Sequence, residues 1–243
     1  MSLSERAYEL LDLVAHKLPP QLMRIIAIPL SYHMKATDGF LHHSAGMAFT
    51  AFGYISNNKI KGDYVEFGVY RGRGIIDAFY SAKKFGLDEV RFWAFDSFEG
   101  LPAIEGKDVG GPFVNGEFKY PRDLFERNLR KYGVDIKKIE IVQGFYNESL
   151  SSENYRNADP EKIAIAWIDC DLYESTVPVL QFLTNRLVDG AVVIFDDWYC
   201  FNGGPDKGEQ KACAEWRAAN SHIRLVEYQN FHWGGKSFIF NRL

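Results

Sequence analysis

Cysteine is scarce in this chain. There are three in 243 residues (Cys170, Cys200 and Cys213), an odd number with no CxxC pair among them. That pattern excludes a disulfide framework and a cysteine-based zinc site, and it fits a reduced, cytoplasmic setting. Long apolar runs are missing too. No stretch approaches the length of a membrane span, and the first residues lack the charged-then-apolar order of a signal peptide, so no membrane insertion is expected. Basic charge is not in surplus: 28 Lys and Arg against 32 Asp and Glu give a formal net charge of −4, with a pI near 5.9. A general nucleic-acid binder would carry a basic face, so nucleic acid is not an expected partner. Repeats, low-complexity tracts and linkers are also absent.

What remains is an ordinary globular composition, with 47% hydrophobic and 25% charged residues. The length suits one α/β domain with a sizeable core and a small terminal extension. The expected division is an N-terminal helical segment or lid over residues 1–58 and a main domain over 59–243. The aromatic content of 15% is high and points either to a pocket for a flat ligand or to an aromatic core.

The chain is organised around two stretches, residues 163–173 (IAIAWIDCDLY) and 191–198 (AVVIFDDW). Each is a short apolar run ending in carboxylates, as suits a strand buried on both faces of a parallel sheet. Ligands of open α/β sheets sit outside the carboxyl ends of the strands, so Asp169, Asp171, Asp196 and Asp197 are expected to gather there. Carboxylates so placed repel one another unless a cation intervenes, and all-oxygen ligands suit Mg²⁺, Mn²⁺ or Ca²⁺. Taken singly, either pair reads as helix caps or loop acids; together at two strand ends they read as a site.

In chain order, residues 4–18 show a helical stripe that Pro19 and Pro20 end, and 22–30 form a second short apolar segment suited to packing on the domain or on another subunit. His33, His42 and His43 have no acid or cysteine at metal-ligand spacing, which favours a lid or subunit contact. A helix is expected over 46–55. Residues 63–68 (DYVEFG) read as the first core strand, 69–74 (VYRGRG) as a glycine turn and 75–85 as a helix, a combination that cradles anionic or polar ligands. The spacing of Gly68, Gly72 and Gly74 is not the dinucleotide pattern GxGxxG. Glu66, an acid inside an apolar strand, needs a cationic partner or several donors, such as the ammonium of an amino-acid-like ligand.

Residues 90–96 (VRFWAFD) form the second strand. Its terminal Asp96 is suited to the two hydroxyls of a ribose or to capping a turn shared with Ser97, and its position one βα unit after the glycine turn favours ribose. A long excursion over 98–120 suits an active-site cover. A helix over 123–132 and a strand over 139–142 follow. Gln143, Gly144 and Phe145 either frame a planar base or make an ordinary turn. A crossover helix is expected over 176–187, ended by Asp189 and Gly190, then a loop over 198–208 and a helix over 209–219. Two β-rich runs over 223–228 and 236–240, joined by 229–235, suit an antiparallel hairpin at the sheet edge.

This order resembles a class I S-adenosylmethionine-dependent methyltransferase, a doubly wound, mostly parallel Rossmann-like sheet of seven strands with a C-terminal antiparallel hairpin. VEFGVYRGRG (65–74) is similar to the first motif of that fold, which implies that Glu66, Gly68, Tyr70, Arg71 and Gly72 hold the methionine part of the cofactor. AFDSFEGLP (94–102) resembles the second, with Asp96 and Ser97 at the ribose, and VQGFYNESL (142–150) the third, with Gln143, Gly144 and Phe145 beside adenine. Together with IDCDLYEST and FDDW, these pieces resemble the macrocin O-methyltransferase (TylF-type) family, whose members use Mg²⁺ to methylate a hydroxyl, typically on a natural-product deoxysugar. The resemblance implies a small-molecule or glycosylated acceptor, Asp169, Asp196 and Asp197 at the metal, and Asp169 as proton acceptor. Catechol-type relatives carry a lysine base where Leu172 stands, which favours a carboxylate base here. The chain also departs from many relatives at Gly74, where they have Ser or Thr against the cofactor carboxylate; backbone N–H groups or Arg71 are the substitutes. The competing readings are a metal-dependent glycosyltransferase built on the DxD motif and a non-catalytic partner protein of methyltransferase fold. A homo-oligomer through the N-terminal segment is compatible with its apolar character.

Overall fold

The computed structural model describes residues 44–150 and 160–243. The helices expected over 4–18 and 22–30, and His33, His42 and His43, lie outside the described residues. The first described element is α1 (Ser44–Asn58), longer at both ends than the 46–55 expected. There follow β1 (Asp63–Phe67), α2 (Arg73–Lys84), β2 (Phe92–Asp96), α3 (Arg122–Lys131), β3 (Ile139–Gln143), the single turn α4 (Tyr146–Ser149), β4 (Ile163–Ile168), α5 (Tyr173–Leu183), β5 (Leu187–Phe195), α6 (Gly208–Ala219), β6 (Ile223–Phe231) and β7 (Gly235–Arg242). Among the described residues no helix is long and apolar enough to cross a membrane.

The strands form one seven-stranded sheet in the order β3-β2-β1-β4-β5-β7-β6. The first five are parallel, and β7 runs antiparallel to both β5 and β6. This is the doubly wound sheet with a terminal hairpin that the sequence predicts. Helices cover both faces, so the interior strands have no solvent-facing side; every residue of β1 and of β4 is buried. One face is closed by α1, α2 and α3 through Met47, Phe52, Ile75, Ile76, Phe125 and Leu129. The other is closed by α5 and α6 through Val179, Leu183, Ala212 and Trp216. Each large apolar side chain so buried contributes roughly 2 kcal/mol by leaving water.

Several boundaries move by a few residues, the crossover helix running over Tyr173–Leu183 rather than 176–187, and two differences alter how strands pair. Asp189 and Gly190 do not end the crossover helix but lie inside β5, because Leu187 already pairs with Ile163 before the ladder resumes at Ile165 with Val192. The four residues 188–191 form the bulge between these two pairings, and the Asp189 carboxylate is used there to accept from the Arg242 backbone N–H at 2.8 Å. The C-terminal hairpin is also tighter than expected. β6 continues to Phe231 through a bulge at Glu227 and Gln229, so its connection shrinks to residues 232–234. Polar Gln229 and Asn230 mask this continuation in the sequence, since an edge strand tolerates them.

Sheet order reverses between β1 and β4, where chain ends diverge and a crevice opens. The two strands meet closely there: the Asp169 N–H donates to the Phe67 carbonyl at 2.8 Å. Gly68 lies against the Asp169 backbone with φ +87°, and a Cβ on it would overlap the Asp169 carbonyl oxygen. Left-handed strain and that clash together predict that Gly68→Ala destabilises the protein by about 3 kcal/mol, measured as a drop in the urea unfolding midpoint. An unchanged midpoint would mean that the crevice relaxes freely.

Candidate active site

A cavity of about 830 Å³ opens at this switch point. Of the residues expected from the sequence, it brings together Gly68, Tyr70, Asp96, Ser97, Gly144, Phe145, Asp169, Asp196 and Asp197. Glu66, Arg71, Gly72 and Gln143 lie outside its wall. The excursion over 98–120 contributes Leu101, Pro102, Phe113, Glu117 and Phe118, so it forms one side of the cavity. Asp108, buried in this excursion, accepts from the N–H groups of Tyr173 and Glu174 at 2.8 and 3.1 Å and so fastens the excursion to the start of α5.

Asp96 holds one end of the cavity together. One carboxylate oxygen accepts from the N–H groups of Val69 and Tyr70 at 2.8 and 3.2 Å, and the other from Phe98 at 2.6 Å. The acid therefore caps its own turn and shapes the glycine turn after β1, and it still faces the cavity. Ser97 is tied into the same turn by donating to the Gly100 carbonyl at 3.1 Å and accepting from the Glu99 N–H. Arg71 stacks on Tyr70 and Tyr120, with its guanidinium carbon 5.0 and 5.7 Å from the ring centres.

Glu66 is 3% exposed, and its carboxylate accepts from the Tyr64 hydroxyl at 2.6 Å. That carboxylate occupies the space a Cβ on Gly74 would need, which accounts for the absence of a side chain there. Its place at the first turn of α2 puts it near the positive end of the helix. Burial pushes its pKa up to about 8, opposed by the Tyr64 hydrogen bond and reinforced by Asp196, Asp77 and Asp96.

At the other end of the cavity the carboxylates crowd. Oxygens of Asp169, Asp171 and Asp197 lie within 4.8 Å of one another. Asp171 enters this trio through a left-handed backbone (φ +62°), a conformation that Asp tolerates better than most residues. Asp196 lines the same wall but faces elsewhere. Its Oδ1 accepts from the Trp167 indole N–H at 3.2 Å, and its Oδ2 lies 3.3 Å from His232 Nε2. That last pair lacks the alignment of a hydrogen bond, since Nε2 has no hydrogen-bond partner, so the contact is electrostatic only. His232 Nδ1 accepts from the Gly234 N–H at 2.9 Å, which places the imidazole proton on Nε2, toward Asp196.

Behind the trio stands Glu209, 1% exposed, at the start of α6. One of its oxygens accepts from the Asp197 N–H at 3.0 Å, and the other has no partner. Asp197 Oδ1 accepts from the Cys200 thiol at 3.2 Å, while its Oδ2 is buried and unpaired. Burial is the first cause that lifts Asp169, Asp171 and Glu209 well above the usual carboxylate range, with repulsion from neighbouring acids next. Asp197 rises to about 6 for the same two reasons. An all-oxygen trio with an unpaired buried oxygen fits a hard divalent cation. Glu209, His232 and Cys200 carry no signal in the sequence that ties them to Asp196 or Asp197. Only the return of α6 and of the hairpin brings them there.

These shifts set a pH dependence. Folded Glu66 keeps its proton up to about 8, whereas its ordinary value is 4.5. In that window the folded state binds more protons than the unfolded one, so stability falls as pH rises. Asp197 adds to the slope up to about 6. Urea unfolding in EDTA should show stability declining from about pH 4.5 to about 8, and Glu66→Gln should flatten the part above about 6. Asp169, Asp171 and Glu209 keep part of the slope, and a slope wholly unchanged by this substitution would mean that Glu66 holds no extra proton.

Comparison with known proteins identifies the family to which this fold belongs. The profile of the family described as Macrocin-O-methyltransferase (TylF) matches residues 49–226. A Streptomyces olivaceus protein named 8-demethyl-8-(2,3-dimethoxy-alpha-L-rhamnosyl)-tetracenomycin-C 4'-O-methyltransferase is 30% identical over 145 residues, which cover 57% of this chain and 54% of that protein. Mycinamicin III 3''-O-methyltransferase of Micromonospora griseorubida is 28% identical over 149 residues, 58% of this chain and 56% of the relative. The chain thus spans about half the length of the curated relatives it matches. The solved structure of the O-methyltransferase NovP shares the fold with a TM-score of 0.66 at 22% identity, covering 82% of this chain and 79% of NovP. Calicheamicin methyltransferase CalS11 does so with a TM-score of 0.65 at 20% identity, covering 98% and 93%. With the profile matched across most of its length, on a class I methyltransferase fold, this chain belongs to the macrocin-O-methyltransferase (TylF) family.

Proposed function

We propose that this protein moves a methyl group from S-adenosylmethionine to a hydroxyl on a sugar of a natural product or glycoconjugate, with Mg²⁺ at the aspartate cluster. The observation that carries the reading is a single cavity with the Gly68, Asp96 and Gly144 turns at one end and the Asp169, Asp171 and Asp197 trio at the other. Such a cavity suits a cofactor and an acceptor side by side, which is what a direct transfer between them needs.

In this reading the Gly68 and Asp96 turns hold the cofactor, with Gly144 and Phe145 beside the base. S-adenosylmethionine supplies the methyl group and leaves as S-adenosylhomocysteine. Asp169 and Asp197 hold the cation, and the third position falls to Asp171 by proximity or to Asp196 by resemblance. A bound divalent cation supplies Lewis acidity that lowers the pKa of an acceptor hydroxyl. Asp169 takes the hydroxyl proton. A free Asp, with a pKa of about 3.9, is a poor base for an alcohol, so most of the activation lies in the lowered pKa of the hydroxyl. Glu66 stands behind the glycine turn, where giving up its proton would balance the charge of a cofactor ammonium.

Calorimetric titration tests the cofactor, with S-adenosylhomocysteine in Mg²⁺ or in EDTA and UDP as the contrast. Saturable heat with S-adenosylhomocysteine, none with UDP, and weaker binding by Asp96→Ala are expected. Binding of UDP alone would overturn the reading in favour of a glycosyltransferase. Asp169→Asn should keep S-adenosylhomocysteine binding and lower kcat by at least about 100-fold. The melting temperature of the wild type should rise with Mg²⁺, and the larger loss of that rise between Asp171→Asn and Asp196→Asn identifies the third ligand.

A further inference from the structure

Trp233 is 78% exposed and sits at the rim of the cavity, at the tip of the β6–β7 hairpin. An indole in water is costly, and an exposed one on a mobile loop would need no explanation. This one stands on a braced turn. Its predecessor His232 is in the left-handed region (φ 33°), an unfavourable conformation for a residue with a side chain. The Gly234 N–H donates to His232 Nδ1, and the Gly234 carbonyl accepts from the Tyr199 N–H at 2.9 Å. His232 itself lies against Asp196, and the Tyr199 hydroxyl donates to Asn230 at 3.2 Å. Both neighbours of Trp233 are thus fastened to the acid-bearing end of β5, while the indole is left open beside the acids.

The charge of the wall is the second observation. Eight carboxylates line the cavity, and among the described residues no lysine, arginine or histidine does. Glu117, Glu148 and Glu174 extend this charge beyond the aspartates. Asp169, Asp171 and Asp197 are the acids that protons or a divalent cation would neutralise, and the other five still outnumber the single net positive charge of S-adenosylmethionine, so the wall stays negative.

From these two observations, and resting on the methyltransferase reading, we infer that Trp233 is an acceptor-binding residue and that the acceptor is a neutral or amine-bearing glycoside. The C–H face of a pyranose stacks on the indole and presents its hydroxyls to Asp169 and its neighbours. A sugar carrying a diphosphate or a carboxylate is repelled by the wall, which excludes by charge what its shape alone would admit.

The test uses the full chain with S-adenosylmethionine and Mg²⁺, and three probes: methyl α-L-rhamnopyranoside, an amine-bearing methyl 3-amino-6-deoxyhexoside, and thymidine diphosphate rhamnose. Methyl transfer to one or both methyl glycosides and little to the nucleotide sugar is expected. Trp233→Ala should raise KM for the glycoside by about tenfold or more, Trp233→Phe should recover most of that, and calorimetric binding of S-adenosylhomocysteine should be unchanged in both. Preference for thymidine diphosphate rhamnose, an unaltered KM in Trp233→Ala, or no turnover of either glycoside by protein that binds S-adenosylhomocysteine would each overturn the inference. Failure to bind S-adenosylhomocysteine would instead overturn the methyltransferase reading on which it rests.

Discussion

The structure turns on repulsion between buried carboxylates. Asp169, Asp171, Asp197 and Glu209 are carried to one place by the ends of β4 and β5 and the start of α6, with no basic side chain in the cavity wall among the described residues. Desolvation and mutual repulsion both favour the neutral forms, so the ligand-free site holds protons that ordinary carboxylates would release. Such a cluster costs stability, and it persists because the surrounding sheet over-determines it. The parallel ladder from β3 to β5 directs five strand ends to one edge, and the apolar cores on both faces leave those ends no freedom to splay.

Much of the remaining architecture braces that edge. Asp96 joins the turns after β1 and β2 through three backbone N–H groups, and Asp108 fastens the cavity-forming excursion to α5. The Gly68 backbone closes against Asp169, and the lack of a side chain at Gly74 leaves room for the Glu66 carboxylate. On the far side, the hairpin turn is bound to Asp196 and to the loop after β5 through His232 and Gly234. Acids therefore serve two purposes here. Asp96 and Asp108 are satisfied by backbone donors and shape the chain, whereas Asp197 and Glu209 each keep an unpaired buried oxygen. The second kind leaves buried oxygens that protein donors do not satisfy.

Much of this was legible from one-dimensional pattern. Apolar runs ending in acids identify β1, β2, β4 and β5, because strands buried on both faces must be apolar throughout and their ends are where polar residues resume. The same logic found Asp96, Asp169, Asp196 and Asp197. It failed for β5 and β6, whose beginning and end run through Asp189, Gly190, Gln229 and Asn230. There, pairing with Ile163 and with β7 overrides local preference.

The sequence by itself therefore determined the order of strands and helices, the doubly wound class of the sheet and the identity of most acids at its edge, because burial period and strand-end polarity are local properties. Tertiary structure alone decided which of those acids meet. Asp171 joins Asp169 and Asp197 through one left-handed residue, while Asp196 turns to Trp167 and His232. Glu209 and Trp233 reach the site from α6 and the final hairpin. Their roles depend on through-space distance and desolvation, which no spacing along the chain encodes.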